Sequence, residues 1–226
     1  GVGHVGVTSL ACIAYLAGGH LPGRGKYGDV VERGLSFVLS CSQGDGYITH
    51  GGTRMYSHAF ATLFLAEIYG TTHRRDVRAK LQKAVDLIVD CQNAEGGWRY
   101  EPFTPQSDMS IVVCQVLALR AARNIGIKVP RATIDKALRY VMESADPHPN
   151  HRGAFLYQRQ EALYNRNSFA LTAAGLTTIQ QAGLYTQADI TRYCRSRGIT
   201  KIPRIADCLQ YLNDSYEPIW REYADH

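Results

Sequence analysis

Apolar residues recur along this chain in two alternating patterns. In the first, Val77, Leu81, Ala84, Val85, Ile88 and Val89 fall at i, i+4, i+7, i+8, i+11 and i+12, with Arg78, Lys80, Gln82, Lys83 and Asp86 opposite. That period predicts a helix with one face on a core and the other in water. Ile134, Ala137, Leu138 and Val141 repeat the stripe in a later segment. The second pattern has no polar side: Ala59–Ala66, and Ile111–Leu119 with Ala121 and Ala122, are apolar nearly all round. A helix of that kind must be covered on every side. No long segment alternates with the period of a strand, so the fold class is all-α. Covered helices alternating with half-exposed ones predict an inner ring wrapped by an outer ring. This is an α/α toroid, complete or partial, of about four helical hairpins.

The connections repeat as well. Cys41-Ser42-Gln43-Gly44-Asp45-Gly46-Tyr47 is followed by Cys91-Gln92-Asn93-Ala94-Glu95-Gly96-Gly97-Trp98, and a weaker copy ends at Gly153-Ala154-Phe155. Upstream of these turns, Arg33-Gly34-Leu35, Lys83-Ala84-Val85 and Lys136-Ala137-Leu138 match at shifts of 50 and 53 residues. Ser9, Ser57, Ser110 and Ser168 are the expected small-polar helix starts. The period of about fifty residues divides the chain into units at 7–50, 55–101, 108–157 and 167–214, the last one degenerate around Ile205–Leu212. Residues 215–226 are then a tail or the start of a further unit. Gly70, Gly126 and Gly183 stand where the inner helices end, and Pro130 stands just before an outer one.

Composition narrows the function classes. The 226 residues are 45% apolar and 20% charged, which is a folded composition. The net charge of +5 is scattered, with clusters at His73–Arg75 and Arg192–Arg197 that read as solvated helix ends rather than a nucleic-acid stripe. The apolar runs fall short of the about 18 residues of a membrane span, so the chain is read as soluble and not an integral membrane protein. Six cysteines lie far apart without C-x-x-C spacing, which implies buried small hydrophobes and no zinc site. That usage favours the cytoplasm, with a processed periplasmic form as the alternative. No cofactor is implied.

The segment Lys83-Ala84 to Ile88, Gln92 and Gly96-Gly97-Trp98 resembles the QW motif of the prenyltransferase and squalene-oxidase repeat superfamily, which includes triterpene cyclases and protein prenyltransferase β subunits. Tyr47 and Phe155 stand in place of tryptophan in the other copies. The overall pattern is most similar to bacterial members of that superfamily. Membership would make Gly46, Tyr47, Gln92, Gly96, Gly97, Trp98 and Phe155 the structural residues of the repeat. The Asp108–Val113 run resembles the helix start that carries the D-x-D-D acid of squalene–hopene cyclases, with Pro105 and Ser107 replacing two of its aspartates. Asp108 is thus the candidate catalytic acid, although as the residue that begins an apolar helix it reads first as a helix cap. The zinc-binding D-x-C of protein prenyltransferases and the Cys-Gly-Glu-Gln of thioester domains are absent.

Tyrosine is abundant, fourteen against six phenylalanines and two tryptophans. Tyr56, His58, Tyr100, Phe103, Tyr157 and Tyr164 are the candidate ligand-binding residues, lining a cavity for an apolar molecule. Arg54, Arg99 and Arg152 near the turns are either surface residues or contacts for an anionic head group. The expected function is binding of an isoprenoid- or lipid-like ligand, or of a protein partner, in a central groove. A terpenoid cyclase-like activity through Asp108 is the alternative. A polysaccharide-active toroid is a second alternative, for which Asp45, Glu95, Asp108 and Glu161 are the available carboxylates.

Overall fold

A computed structural model describes residues 3–159 and 168–224. Its helices are α1 (Val5–Ala17), α2 (Gly28–Ser40), α3 (Met55–Ile68), α4 (Asp76–Asp90), α5 (Met109–Asn124), α6 (Arg131–Glu143), α7 (Phe169–Gln181), α8 (Gln187–Ser196) and α9 (Ile205–Ala224). The described residues contain isolated β-bridges only, and the fold is all-α. Helices α1, α3, α5 and α7 pack against one another in chain order, and α2, α4 and α6 each pack against an odd-numbered neighbour. The two sequence patterns separate accordingly. Helix α3 buries ten of its fourteen residues, whereas α4 buries only Val77, Leu81, Ala84, Val85, Leu87 and Ile88. The stretch expected as a tail from 215 continues α9 to Ala224.

Helices α1, α3, α5 and α7 share a register set by their caps. The carbonyls of His4, Arg54, Asp108 and Ser168 accept the N–H groups of Thr8, His58, Val112 and Thr172 at 2.9, 3.1, 3.1 and 3.0 Å. Of the expected serine starts, only Ser168 is therefore a cap. Ser57 and Ser110 lie inside the first turn, and Ser9 bonds back to the Val5 carbonyl at 2.8 Å. Glycines allow close approach along the seams between inner helices. A Cβ on Gly6 would stand 2.8 Å from Ser57 Oγ, and one on Gly175 would stand 2.9 Å from Met109 Cε.

Helices α2, α4 and α6 end in turns that dock on α4, α6 and α9 respectively. Gly46, Gly96 and Gly153 have φ near +90°, and a Cβ there would stand 2.3, 2.4 and 2.2 Å from the carbonyl oxygens of Lys83, Lys136 and Asp207. This contact identifies the fourth unit: Asp207-Cys208-Leu209 on α9 takes the place of Lys83-Ala84-Val85, and α8 is an insertion ahead of it. Gln92 ties its turn to α6, its Nε2 donating to the carbonyls of Gly96 and Thr133, both at 2.9 Å.

The turn register corrects one expectation. Counting from the docked glycines, the residue equivalent to Trp98 and Phe155 is Ile48, not Tyr47. Ile48, Trp98 and Phe155 are all buried, and Trp98 Nε1 donates to the Ile88 carbonyl at 2.7 Å. Tyr47 matches Gly97 instead. The Tyr47 ring rests 5.4 Å from that of His58, while a Cβ on Gly97 would strike Ser107 and Val112.

Among the described residues, one face of the row formed by α1, α3, α5 and α7 has no covering layer. It carries Leu10 and Ala14 on α1, Tyr56, Phe60 and Leu63 on α3, Ser110, Val113, Cys114 and Leu117 on α5, and Ala170, Ala173 and Ala174 on α7, all half-buried or exposed. The face is apolar along its length and polar where α3 and α5 begin.

Candidate functional site

The polar end of that face is assembled by the chain that leads into α5. Asn93 holds this segment, its Nδ2 donating to the carbonyls of Thr104 and Gln106 and to Ser107 Oγ at 3.2, 2.8 and 2.8 Å. The Asp108 N–H then donates to the Trp98 carbonyl at 3.1 Å. Asp108 caps α5: its Oδ1 accepts from the Ile111 N–H at 2.9 Å and from Ser110 Oγ at 2.5 Å. Its side chain is fully buried, and Oδ2 has no hydrogen-bond partner among the described residues.

Three tyrosines surround the same serine. The Tyr56 hydroxyl donates to Ser110 Oγ at 2.5 Å, and the Tyr100 and Tyr157 hydroxyls share a hydrogen bond. The rings of Tyr56 and Tyr100 are 6.1 Å apart. The backbone places the latter two by one repeated device. The Tyr100 carbonyl accepts the first N–H of α3, from Met55, at 3.0 Å, and the Tyr157 carbonyl accepts the first N–H of α5, from Met109, at 2.9 Å. Each of these tyrosines thus sits at the start of an inner helix. Gln115 ties α5 to the start of α3, its Nε2 donating to the Met55 carbonyl at 3.0 Å.

Burial sets the protonation of this cluster. It pushes the Asp108 carboxyl above its ordinary range, opposed by the hydrogen bonds from Ser110 and Ile111 and by the charge of Arg99. It raises Tyr56 against the Ser110 bond. It raises Tyr157 too, where the Tyr100 bond and the Asp108 charge act in the same direction. Cys114 is pushed up to about 12 by burial and then by Asp108, so its thiol keeps its proton and is no ready nucleophile. Chemically the site is a knot of hydroxyl donors beside a carboxyl, at the edge of an apolar surface.

Asp108, Tyr56, Tyr100 and Tyr157 are thus brought together. His58 is not: it is fully buried, its Nδ1 accepts from the Ile48 N–H at 3.1 Å and its Nε2 meets the Ala84 carbonyl at 3.1 Å, which leaves no ring atom for a ligand. Phe103 is not either. Its backbone adopts φ +58° in the turn after Tyr100, and its side chain is 68% exposed. Tyr164 and Glu161 lie outside the described residues. Arg54 and Arg152 form ion pairs with Glu101 and Asp207, both at 2.8 Å. Arg99 lies over the Tyr100 ring at 5.4 Å. The Asp45 carboxylate accepts the Tyr47 N–H inside its own turn at 2.9 Å. Ser110 joins the site without having been among the residues expected there. Ser110 stands two residues after an N-cap aspartate, a position from which a hydroxyl reaches the cap, and that was the available signal.

All six cysteines are free thiols. No group of three or more metal-ligating side chains occurs among the described residues, and no described helix is long and apolar enough to cross a membrane. The chain matches no protein-family model and no curated protein sequence.

The raised Asp108 pKa has a measurable consequence. A carboxyl whose folded pKa lies above its unfolded one contributes most below the unfolded value and loses that contribution as pH rises through the folded one. Asparagine caps as well as aspartate without the buried charge. Asp108→Asn is therefore expected to match or exceed the parent in thermal stability at pH 7, with the gap closing toward pH 4. A melting temperature well below the parent at pH 7 would show that the ionised form is the stabilised one.

Proposed function

We propose that this chain is a repeat domain of the prenyltransferase and squalene-cyclase kind that binds an apolar, isoprenoid- or lipid-like ligand along the uncovered face of its inner helices. The observation that carries this reading is the join between two surfaces. Phe60 and Leu63 on α3 and Val113 and Leu117 on α5 offer hydrocarbon to the ligand's chain. One turn away, Tyr56, Ser110, Tyr100 and Tyr157 offer hydroxyls to its polar end. The rings of Tyr56 and Tyr100 also offer their negative faces to the C–H edges of an unsaturated chain. In this reading the row of hairpins is part of an α/α toroid and the uncovered face is its inner wall.

A second reading has one observation in its favour. Asp108 is a buried carboxyl with a raised pKa and an unpartnered oxygen, which is what a proton donor to an alkene would need. Pro105 and Ser107 stand where the resembled cyclases carry further aspartates, so binding without turnover is the primary reading.

Farnesol and squalene, presented to the full chain in detergent-free buffer and followed by tyrosine fluorescence and native mass spectrometry, test both. Saturable binding is expected, weakened about tenfold or more by Leu117→Asp, which sets a charge in the hydrocarbon path. Leu209→Asp, on the exposed side of α9, is expected to bind as the parent does. No retained ligand, or equal binding by both variants, would overturn the proposal. Product formation that Asp108→Asn abolishes would establish the second reading.

A further inference from the structure

The seam between α5 and α7 departs from the seam between α3 and α5 at its far end. In the register of the caps, Ala66 on α3 corresponds to Arg120 on α5, and Tyr69 corresponds to Arg123. Ala66 is buried; Arg120 is half-buried and Arg123 exposed. Where one seam closes on an alanine, the next opens into a cavity of about 260 Å³ whose lining includes both arginines, Asn124, Gln181, Tyr185 and Val116.

Among the described residues, the charges in this cavity have no carboxylate counterpart. Arg54, Arg74, Arg139, Arg152 and Arg192 all pair with carboxylates. Arg120 and Arg123 form neither an ion pair nor a hydrogen bond with any described residue, and no acidic side chain lines the cavity. They stand three residues apart on one helix, where like charges repel. Arg123 lies in the last turn of α5, where a cation suits the helix dipole. Arg120 lies a turn earlier and has no such reason to be there. Two guanidiniums with open forks, flanked by amide and phenol donors, match the oxygens of a doubly charged oxyanion.

We propose that this crevice, between the C-terminal ends of α5 and α7, is a binding site for the phosphate group of a small phosphate monoester. The two guanidiniums take the phosphate oxygens, Asn124, Gln181 and Tyr185 complete the donors, and the ester's carbon portion lies against Val116. The site is separate from the tyrosine cluster, near the opposite end of α5, and stands independently of the ligand proposed there.

Calorimetric titration of the full chain at low ionic strength, in buffer free of phosphate and sulfate, tests this with phenyl phosphate, inorganic phosphate and phenol. Saturable binding of phenyl phosphate is expected, weakening with added salt. It is expected to fall about tenfold in Arg120→Gln or Arg123→Gln and to vanish in the double variant. Neither arginine has a partner to lose, so the ligand-free variants are expected to melt with the parent. Arg120→Lys, which keeps the charge but not the fork, is expected to bind weakly while folding normally, and it serves if the glutamine variants do not fold. Tighter binding of phenyl phosphate than of inorganic phosphate supports the monoester. Preference for inorganic phosphate would overturn the ester and assign the site to the free ion. No binding by the parent, binding unchanged in the double variant, or phenol binding as tightly as phenyl phosphate would overturn the site itself.

Discussion

Replacing Gly96 with alanine is expected to lower the free energy of unfolding by about 3–5 kcal/mol. Two separate effects add. The backbone at Gly96 has φ +90°, a conformation that costs an L-residue about 1–2 kcal/mol. The added methyl would also stand 2.4 Å from the Lys136 carbonyl oxygen, which belongs to the backbone of α6 and cannot rotate away. Relief requires lifting the whole turn off α6, and with it the two hydrogen bonds that Gln92 makes to Gly96 and Thr133. Gly126 supplies the control. It has φ +81° and nothing within 4 Å of the position a Cβ would take, so Gly126→Ala pays the backbone term alone, about 1–2 kcal/mol. Urea unfolding of the two variants at a common m-value measures the difference, which is the cost of the methyl against the α6 backbone. If Gly96→Ala were no less stable than Gly126→Ala, the turn would not be clamped to α6. Gly46 and Gly153 make the same approach to Lys83 and Asp207, and alanine there is expected to act alike.

These glycines also show what the sequence discloses and where it stops. The helices, their alternation of covered and half-exposed faces, and the punctuating turns were legible because each follows from local period and backbone freedom. The register within the turns was not. Aromatic identity pairs Tyr47 with Trp98, but the buried slot is defined by distance from the docked glycine, and Ile48 fills it. The fourth unit looked degenerate because α8 separates α7 from α9, and only the contact of Gly153 with Asp207 restores the correspondence.

The candidate site divides in the same way. Asp108 before an apolar run is a local signal of a helix cap, and it is one. The meeting of Tyr56 with Ser110, and of Tyr100 with Tyr157, depends on how neighbouring units dock, across more than fifty residues of chain. Phe103, three residues from Tyr100, looked equivalent to it; a left-handed backbone conformation separates the two. The partners that decide the role of His58 are backbone groups of the turn after α2 and of α4, which no side-chain pattern records.

His58 gives the second large effect, a loss of stability in mild acid. The imidazole accepts from Ile48 through Nδ1 and donates from Nε2 to the Ala84 carbonyl. A second proton would have to enter at Nδ1, against an N–H that already points there. Burial opposes the charge further and holds the pKa down to about 4 from an ordinary 6.5, although the Ala84 carbonyl and the charge of Asp45 pull the other way. The sign follows from proton binding. Between these two values the unfolded chain carries a proton on His58 and the folded chain does not, so stability rises with pH. The contribution is complete above about pH 6.5 and is lost as pH falls toward 4, a total of about 3 kcal/mol. Asp108 acts in the opposite sense, its burial weighing against the fold as pH rises. The two are separated by comparing unfolding free energies of the parent and His58→Gln at pH 7, 6, 5 and 4. The glutamine variant is expected to start about 1–3 kcal/mol less stable at pH 7, because it meets the two backbone groups less well. It is then expected to lose less on acidification, so that the two curves converge near pH 4. Curves that stay parallel would mean that His58 takes up its proton without disturbing the turn that it holds.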